Sequence, residues 1–234
     1  KDITPEWRPF QLAFLLMNLP GIADPKHADR KVVDLLFFPT GGGKTEAYLG
    51  LAAFTLVLRR LRNPGISSAG LSVLMRYTLR LLTLDQLGRA AALGPVSSLQ
   101  PRYSLLNRQI ETGGQMDWCR ENNCGIVCYS PMESGLLTGK VTREWIDSLP
   151  ENDWRRHKQE DHPVASLLRP PKLEPFLQLV DQLRAIAEPS GHTVSQLAVA
   201  WTLCRSEVTS AIVGARRRGQ IAETVRAAEW PLGQ

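Results

Sequence analysis

The stretch Gly125-Ile126-Val127-Cys128-Tyr129-Ser130-Pro131-Met132-Glu133-Ser134-Gly135-Leu136-Leu137-Thr138-Gly139-Lys140 decides how this chain folds. Gly125 to Tyr129 is short and apolar and reads as a strand. Ser130-Pro131 ends it, since proline has no N–H to donate to a sheet ladder. Upstream, a helix around Gln115 to Asn122 follows the Gly113-Gly114 break. Downstream come two amphipathic helices. Glu174 to Glu188 carries Leu177, Val180, Leu183 and Ile186 at helical spacing, and Val194 to Cys204 follows Thr193 as a cap. A strand from Ser210 to Val213 then turns at Gly214 into a helix from Gly219 to Trp230. Strands joined through helices are parallel, because a crossover must return the chain to the same end of the sheet. Trp145 to Pro171 is polar, rich in proline and weakly periodic, and reads as an excursion outside the core with one short helix around Trp154.

The same alternation is expected nearer the N-terminus. A helical run to Leu19 ends in a Pro20-Gly21 turn, and a charged loop leads to a buried strand from Val32 to Phe38. Pro39-Thr40-Gly41-Gly42-Gly43 breaks that strand before a helix from Lys44 to about Arg62. Leu71 to Met75 reads as a second short strand and Leu79 to Leu93 as a second helix, stopped by Gly94-Pro95. Val96 to Gln100 is a small polar linker. Five βα units in sequence predict an α/β fold of parallel units, as an open sheet or a partial (β/α) barrel. The predicted division is residues 1–95 and 96–234.

Composition narrows the class further. The chain has 234 residues, 43% hydrophobic and 22% charged, so disordered, collagen-like and coiled-coil chains are excluded. No fixed-period repeat points to a solenoid. The longest apolar stretch, Leu49 to Leu58, is about half of what a membrane-spanning helix needs and reads as a buried core helix. Lys1 to Glu6 does not read as a secretory signal, so the cytoplasm is the expected location, with no membrane partner. Cys119, Cys124, Cys128 and Cys204 are expected as free thiols; the C-x4-C-x3-C spacing has no His-x3-His partner, and small core residues are the preferred reading over a metal site.

Charge is unevenly placed. Residues 1–95 hold 12 Lys and Arg against 7 Asp and Glu, whereas residues 96–234 hold 16 against 16, so the whole net charge of +5 lies in the first part. A basic segment suits a polyphosphate or nucleic-acid ligand. The bland alternative is a solvated basic face, with Arg59, Arg60 and Arg62 complementing a helix C-terminus.

In that basic part, Thr40-Gly41-Gly42-Gly43-Lys44-Thr45 joins the expected strand to the expected helix. Glycines let successive backbone N–H groups converge on phosphate oxygens, and the helix directs its positive end at the same anion. Lys44 would neutralise charge between the β and γ phosphates, and the Thr45 hydroxyl would ligate Mg²⁺. Phe38 stands where the strict G-x4-G-K-[ST] pattern has its first glycine. Residues 5–93 resemble the Walker A segment of superfamily 2 helicase motors, specifically the helicase-like motors of phage-defence systems. The resemblance implies that Arg8 and Gln11 contact adenine and that Arg76 and Arg80, in Arg76-Tyr77-Thr78-Leu79-Arg80, touch a nucleic-acid backbone. No Asp-Glu-x-His or Asp-Glu-Ala-Asp follows, and no second motor domain supplies an arginine finger.

From about Leu99 onward the chain resembles the C-terminal half of an aldo-keto reductase. The resemblance rests on Gln100-Pro101-Arg102-Tyr103-Ser104-Leu105-Leu106-Asn107, on Tyr129 to Lys140, on Leu197-Ala198-Val199-Ala200-Trp201 and on Ala211-Ile212-Val213-Gly214-Ala215-Arg216. It implies NADP as cofactor. Gln100 would hydrogen-bond the nicotinamide carboxamide and Tyr129 would stack on its ring. Ser130, Met132, Gly135, Leu136 and Lys140 would line the pyrophosphate, and Gly214, Arg216, Gln220 and Glu223 would surround the adenosine phosphate end. An aromatic face suits a flat ring, and Arg216 offers a fork to a 2′-phosphate. The family's proton donor is a Tyr tuned by Lys and Asp, with a His, all on its first four barrel strands. None of those positions is matched here, and Tyr103 does not fit the donor by spacing, so no catalytic residue is assigned.

Together these resemblances predict a recombined or engineered chain: a P-loop fragment joined in phase to a half TIM barrel between Leu93 and Leu99. Exposed strand edges then predict a homo-oligomer. The leading expectation is residual nucleotide binding, of NADP or of ATP with Mg²⁺, without a complete catalytic site. One alternative is an NADP-dependent oxidoreductase of the aldo-keto reductase type. The other is an ATP-dependent nucleic-acid protein.

Overall fold

The computed structural model describes residues 6–34, 43–68, 70–75, 83–157, 162–215 and 217–232. The chain divides into two compact units, Lys1–Val96 and Ser97–Gln234.

Among its described residues the first unit is helical: α1 (Pro9–Ala23), α2 (Lys44–Arg62) and α3 (Leu84–Ala91), with single 3-10 turns at Ala28–Lys31 and Gly65–Ser68. The expected Pro20-Gly21 turn is instead the last turn of α1, which runs to Ala23. Packing outweighs the hydrogen bond that proline cannot make. The ring of Phe14 meets Tyr48 of α2 edge-on at 6.0 Å, and a Cβ at Gly50 would lie 2.9 Å from Leu15, so the two helices approach at a glycine. α2 spans the predicted residues, but within Leu49 to Leu58 only Leu49 and Ala52 are buried. α3 is shorter than expected and opens with a reciprocal cap, in which Thr83 Oγ1 accepts from Gln86 N–H at 3.3 Å and Gln86 Oε1 accepts from Thr83 N–H at 3.0 Å.

Neither strand expected in this unit is present among its described residues. Val32 is extended, but Val32 to Asp34 form no strand and Val33 is 93% exposed; residues 35–38 of that expected strand lie outside the described residues. Leu71 to Met75 is also unpaired coil, with Leu71 and Leu74 exposed. A short apolar run becomes a strand only where a neighbour completes its ladder, and sequence pattern alone does not supply one.

The second unit is α/β. β1 (Ser98–Leu99), β2 (Gly125–Tyr129) and β3 (Val208–Ile212) form a parallel sheet in the order β1-β2-β3. α4 (Gln109–Thr112) and α5 (Gln115–Glu121) link β1 to β2. α6 (Arg143–Asp147), α7 (Trp154–His157), α8 (Leu173–Ala187) and α9 (Val194–Leu203) link β2 to β3, and α10 (Gln220–Val225) follows. Three strands among the described residues replace the five expected βα units. β1 falls inside what reads as a linker, and β3 starts two residues before the expected strand. Helices cover one face of the sheet. Ile126 and Cys128 are buried there, and Ala211 and Val213 pack against Val199, Ala200 and Ala227. The alternate positions Val127 and Tyr129 are half-buried, and Ser210 and Ile212 are exposed.

The proline-rich segment belongs to the core rather than outside it. Leu149, Val164 and Leu168 are buried with Leu136, Val141, Phe176 and Val180. Asp153 pairs with Arg155, whose guanidinium lies 4.8 Å from the ring centre of Trp145. Each apolar residue finds its own pocket without periodicity, which is why the pattern read as polar loop. α9 begins at Thr193 as predicted, with Gln196 completing the reciprocal cap.

Candidate functional site at the strand ends

Parallel α/β sheets place ligands beyond the C-terminal ends of their strands. Here Gln100 follows β1, Tyr129 ends β2 and leads into the turn from Ser130 to Lys140, and Gly214 follows β3. In the sheet register Tyr129 pairs with Ile212 on one side and bridges Arg102 on the other, so Gln100 lies two residues before one neighbour of Tyr129 and Gly214 two residues beyond the other. Its N–H donates to Pro101 O at 2.9 Å, and its carbonyl accepts from Tyr103 N–H at 3.3 Å. Gln100 and Gly214 are exposed, and Tyr129 is half-buried on the less covered face. Gln220 is the first residue of α10, and the carbonyl of exposed Glu223 accepts from Gln196 Nε2 at 2.7 Å.

The turn after β2 has an unusual backbone. Ser130, Glu133, Ser134 and Gly135 have φ of 56°, 46°, 55° and 94°. For a residue with a Cβ this left-handed region costs about 1–2 kcal/mol, so the surroundings must hold it. They do so at both ends. Leu136 and Leu137 are fully enclosed in two different apolar clusters, and Arg184 Nη2 donates to Gly139 O at 2.7 Å. At the near end the Glu133 carboxylate, 1% exposed, accepts from Arg102 Nε at 3.2 Å, from Arg102 Nη2, and from Ser104 Oγ at 2.5 Å. Met132 is half-buried and Lys140 exposed. Arg102, Ser104 and Glu133 are not singled out by the motifs, although an acidic residue in an otherwise small and apolar turn is a signal that it has partners.

Beside this site lies a buried polar cluster. The phenol of Tyr103, fully enclosed, donates to Glu111 at 2.5 Å, and its ring packs 5.2 Å from that of Trp201. Burial, with the hydrogen bond to Glu111, pushes the phenol pKa up to about 12. Burial alone would raise Glu111, but hydrogen bonds from Arg108 and Tyr103 hold its carboxyl below the usual range. The cysteines are free. A hydrogen bond with Cys124, with burial, raises Cys119, and burial raises Cys128. No metal-binding cluster is present among the described residues.

In the first unit the structure brings Gln11 to the start of α2. Gln11 Nε2 donates to Gly43 O at 2.6 Å, and Gln11 Oε1 accepts from Arg8 N–H at 2.8 Å. Gly43 has φ of 90°, where a residue with a Cβ is strained, and a Cβ there would lie 2.6 Å from Gln11 Nε2. Lys44 and Thr45 occupy the first turn, half-buried. Next to them Glu46 pairs with Arg89 at 2.9 Å; its backbone hydrogen bond, then Arg89, outweigh burial and lower its pKa. Thr40, Gly41, Gly42, Arg76, Arg80 and Arg216 lie outside the described residues.

The aldo/keto reductase family model matches residues 60–234. The chain belongs to that family. As an aldo/keto reductase family chain it is 37% identical over 131 residues to the aldo-keto reductase yakc [NADP(+)] of Schizosaccharomyces pombe, over 55% of this chain and 36% of that protein. It is similar in structure to the glycerol dehydrogenase of Gluconobacter oxydans, with a TM-score of 0.56 and 27% identity over 65% of this chain and 43% of that one. The chain thus spans less than half the length of either of these proteins. It is also 61% identical over 88 residues to the DISARM protein DrmA of Bacillus paralicheniformis, covering 36% of this chain and 8% of that protein. The reductase family match begins within α2, upstream of the Gln100 motif and of the predicted boundary at residue 95. No helix among the described residues is long and apolar enough to cross a membrane.

Proposed function

We propose that this chain supplies the dinucleotide-binding part of an NADP(H)-dependent oxidoreductase acting on a carbonyl. The observation that carries this reading is that Gln100, Tyr129 and Gly214 stand at or just past the C-terminal ends of three adjacent parallel strands, with the left-handed turn after Tyr129. The donor set fits such a cofactor: an amide, an aromatic face, a hydroxyl, a turn and a cation succeed one another along the strand ends. The cofactor, when bound, supplies the hydride. Tyr129 and Gln100 would orient its ring, the backbone of Ser130, Met132, Gly135 and Leu136 with Lys140 would meet its pyrophosphate, and Gly214, Arg216, Gln220 and Glu223 its adenosine phosphate. Proton transfer is assigned to none of these residues. Self-association is proposed alongside, because β1 and β3 each pair on one side only among the described strands. Quenching of tryptophan fluorescence by NADPH is the test of cofactor binding. Saturable binding that Tyr129→Ala weakens about tenfold is expected; a flat titration removes the reading.

A second reading concerns the start of α2, where phosphate oxygens of ATP with Mg²⁺ would meet Gly43, Lys44 and Thr45. The contact of Gln11 with Gly43 and the similarity to DrmA favour it. Thermal stabilisation by ATP and Mg²⁺ that disappears in Lys44→Ala supports it, and no shift in the unaltered chain counts against it.

A further inference from the structure

We infer that Glu133 is a positioning residue for the turn after β2, acting through Arg102 and Ser104 to hold the backbone that would face the dinucleotide phosphates. The inference rests on the cofactor reading above and names a residue that reading leaves out. The far half of the turn is fixed by the enclosed Leu136 and Leu137 and by Arg184 on Gly139. The near half, where Glu133, Ser134 and Gly135 are successively left-handed, carries one deep side-chain anchor, the Glu133 carboxylate. Its partners come from the neighbouring strand end. Arg102 lies beside Tyr129 in the sheet register, so one guanidinium ties the ring-stacking position to the phosphate turn. Ser104 is preset for the same task. Its Oγ accepts from Leu106 N–H at 3.2 Å and Asn107 N–H at 3.0 Å, which leaves its own proton for Glu133. A carboxylate is the group that satisfies both donors at once, because it accepts a guanidinium fork and a hydroxyl without offering a competing N–H.

Geometry predicts a selective defect. The turn serves the pyrophosphate, whereas Gly214, Arg216, Gln220 and Glu223 serve the adenosine end, so loosening the turn weakens a whole dinucleotide and spares a ligand confined to the adenosine end. The experiment measures dissociation constants of NADPH and of adenosine 2′-monophosphate for the full chain, for Glu133→Gln, and for the double variant Arg102→Met with Glu133→Gln. The double variant leaves no unpaired buried charge and stands in if Glu133→Gln alone does not fold. NADPH affinity is expected to fall about tenfold in either folded variant, with adenosine 2′-monophosphate changed less than about twofold. Unchanged NADPH affinity in a folded variant overturns the inference, as does an equal loss for both ligands, which marks general destabilisation. An unaltered chain that binds neither ligand removes the cofactor reading and this inference with it, a result distinguishable from the other two.

Discussion

Leu137 and Val33 are both aliphatic residues, yet Leu137 is fully enclosed and Val33 is 93% exposed. The contrast extends across the two units. In Ser97–Gln234 the strands pair, one sheet face is covered by helices, and even the proline-rich segment contributes buried side chains. Among the described residues of Lys1–Val96, the buried apolar side chains are Ala47, Leu49, Ala52 and Leu87, while Ile66, Leu71 and Leu74 face solvent. Burial follows from the packing partners that the surrounding chain supplies.

The sharpest way to break this comparison is to truncate one side chain from each unit. Leu137→Ala should lower the unfolding free energy by about 2–5 kcal/mol in denaturant titration, whereas Leu74→Ser should stay within about 0.5 kcal/mol. Equal losses would erase the distinction. A smaller effect is expected at alkaline pH. Because the folded phenol of Tyr103 titrates near 12 and an unfolded tyrosine near its ordinary value of about 10, the native state keeps a proton that the unfolded chain releases. Its stabilisation is complete below about pH 10 and is lost toward about 12, at up to about 1.4 kcal/mol per pH unit. Tyr103→Phe should flatten that portion of the stability curve, and an unchanged slope would place the loss elsewhere. Smaller again is the effect of the two reciprocal caps. Thr193→Ala, whose partner Gln196 is buried and also bonded to Glu223 O, should cost about 1 kcal/mol, and Thr83→Ala, on an exposed helix start, about half as much.

What was legible in the sequence follows the range of the interactions. β2, its stop at Ser130-Pro131, α8, and α9 with its Thr193 cap depend on residues a few positions apart, and each is found close to its predicted bounds. β1 was hidden because two paired residues inside a polar linker have no periodicity to read. The burial of Leu149, Val164 and Leu168 was hidden because each fits a pocket built by distant helices. At the candidate site, Gln100, Tyr129 and Gly214 were visible as motif residues, while the clamp on Glu133 was not. Its partner Arg102 lies 31 positions away, and complementary charges at that separation show in a sequence only once the strands between them are placed side by side.

We propose NADP(H) binding at the strand ends of Ser97–Gln234 rather than at the start of α2. Titrating NADPH against the unaltered chain, Arg216→Ala and Lys44→Ala tests it most directly. Saturable binding that weakens at least about tenfold in Arg216→Ala and survives intact in Lys44→Ala is the predicted result; binding that survives Arg216→Ala and is lost in Lys44→Ala would contradict it.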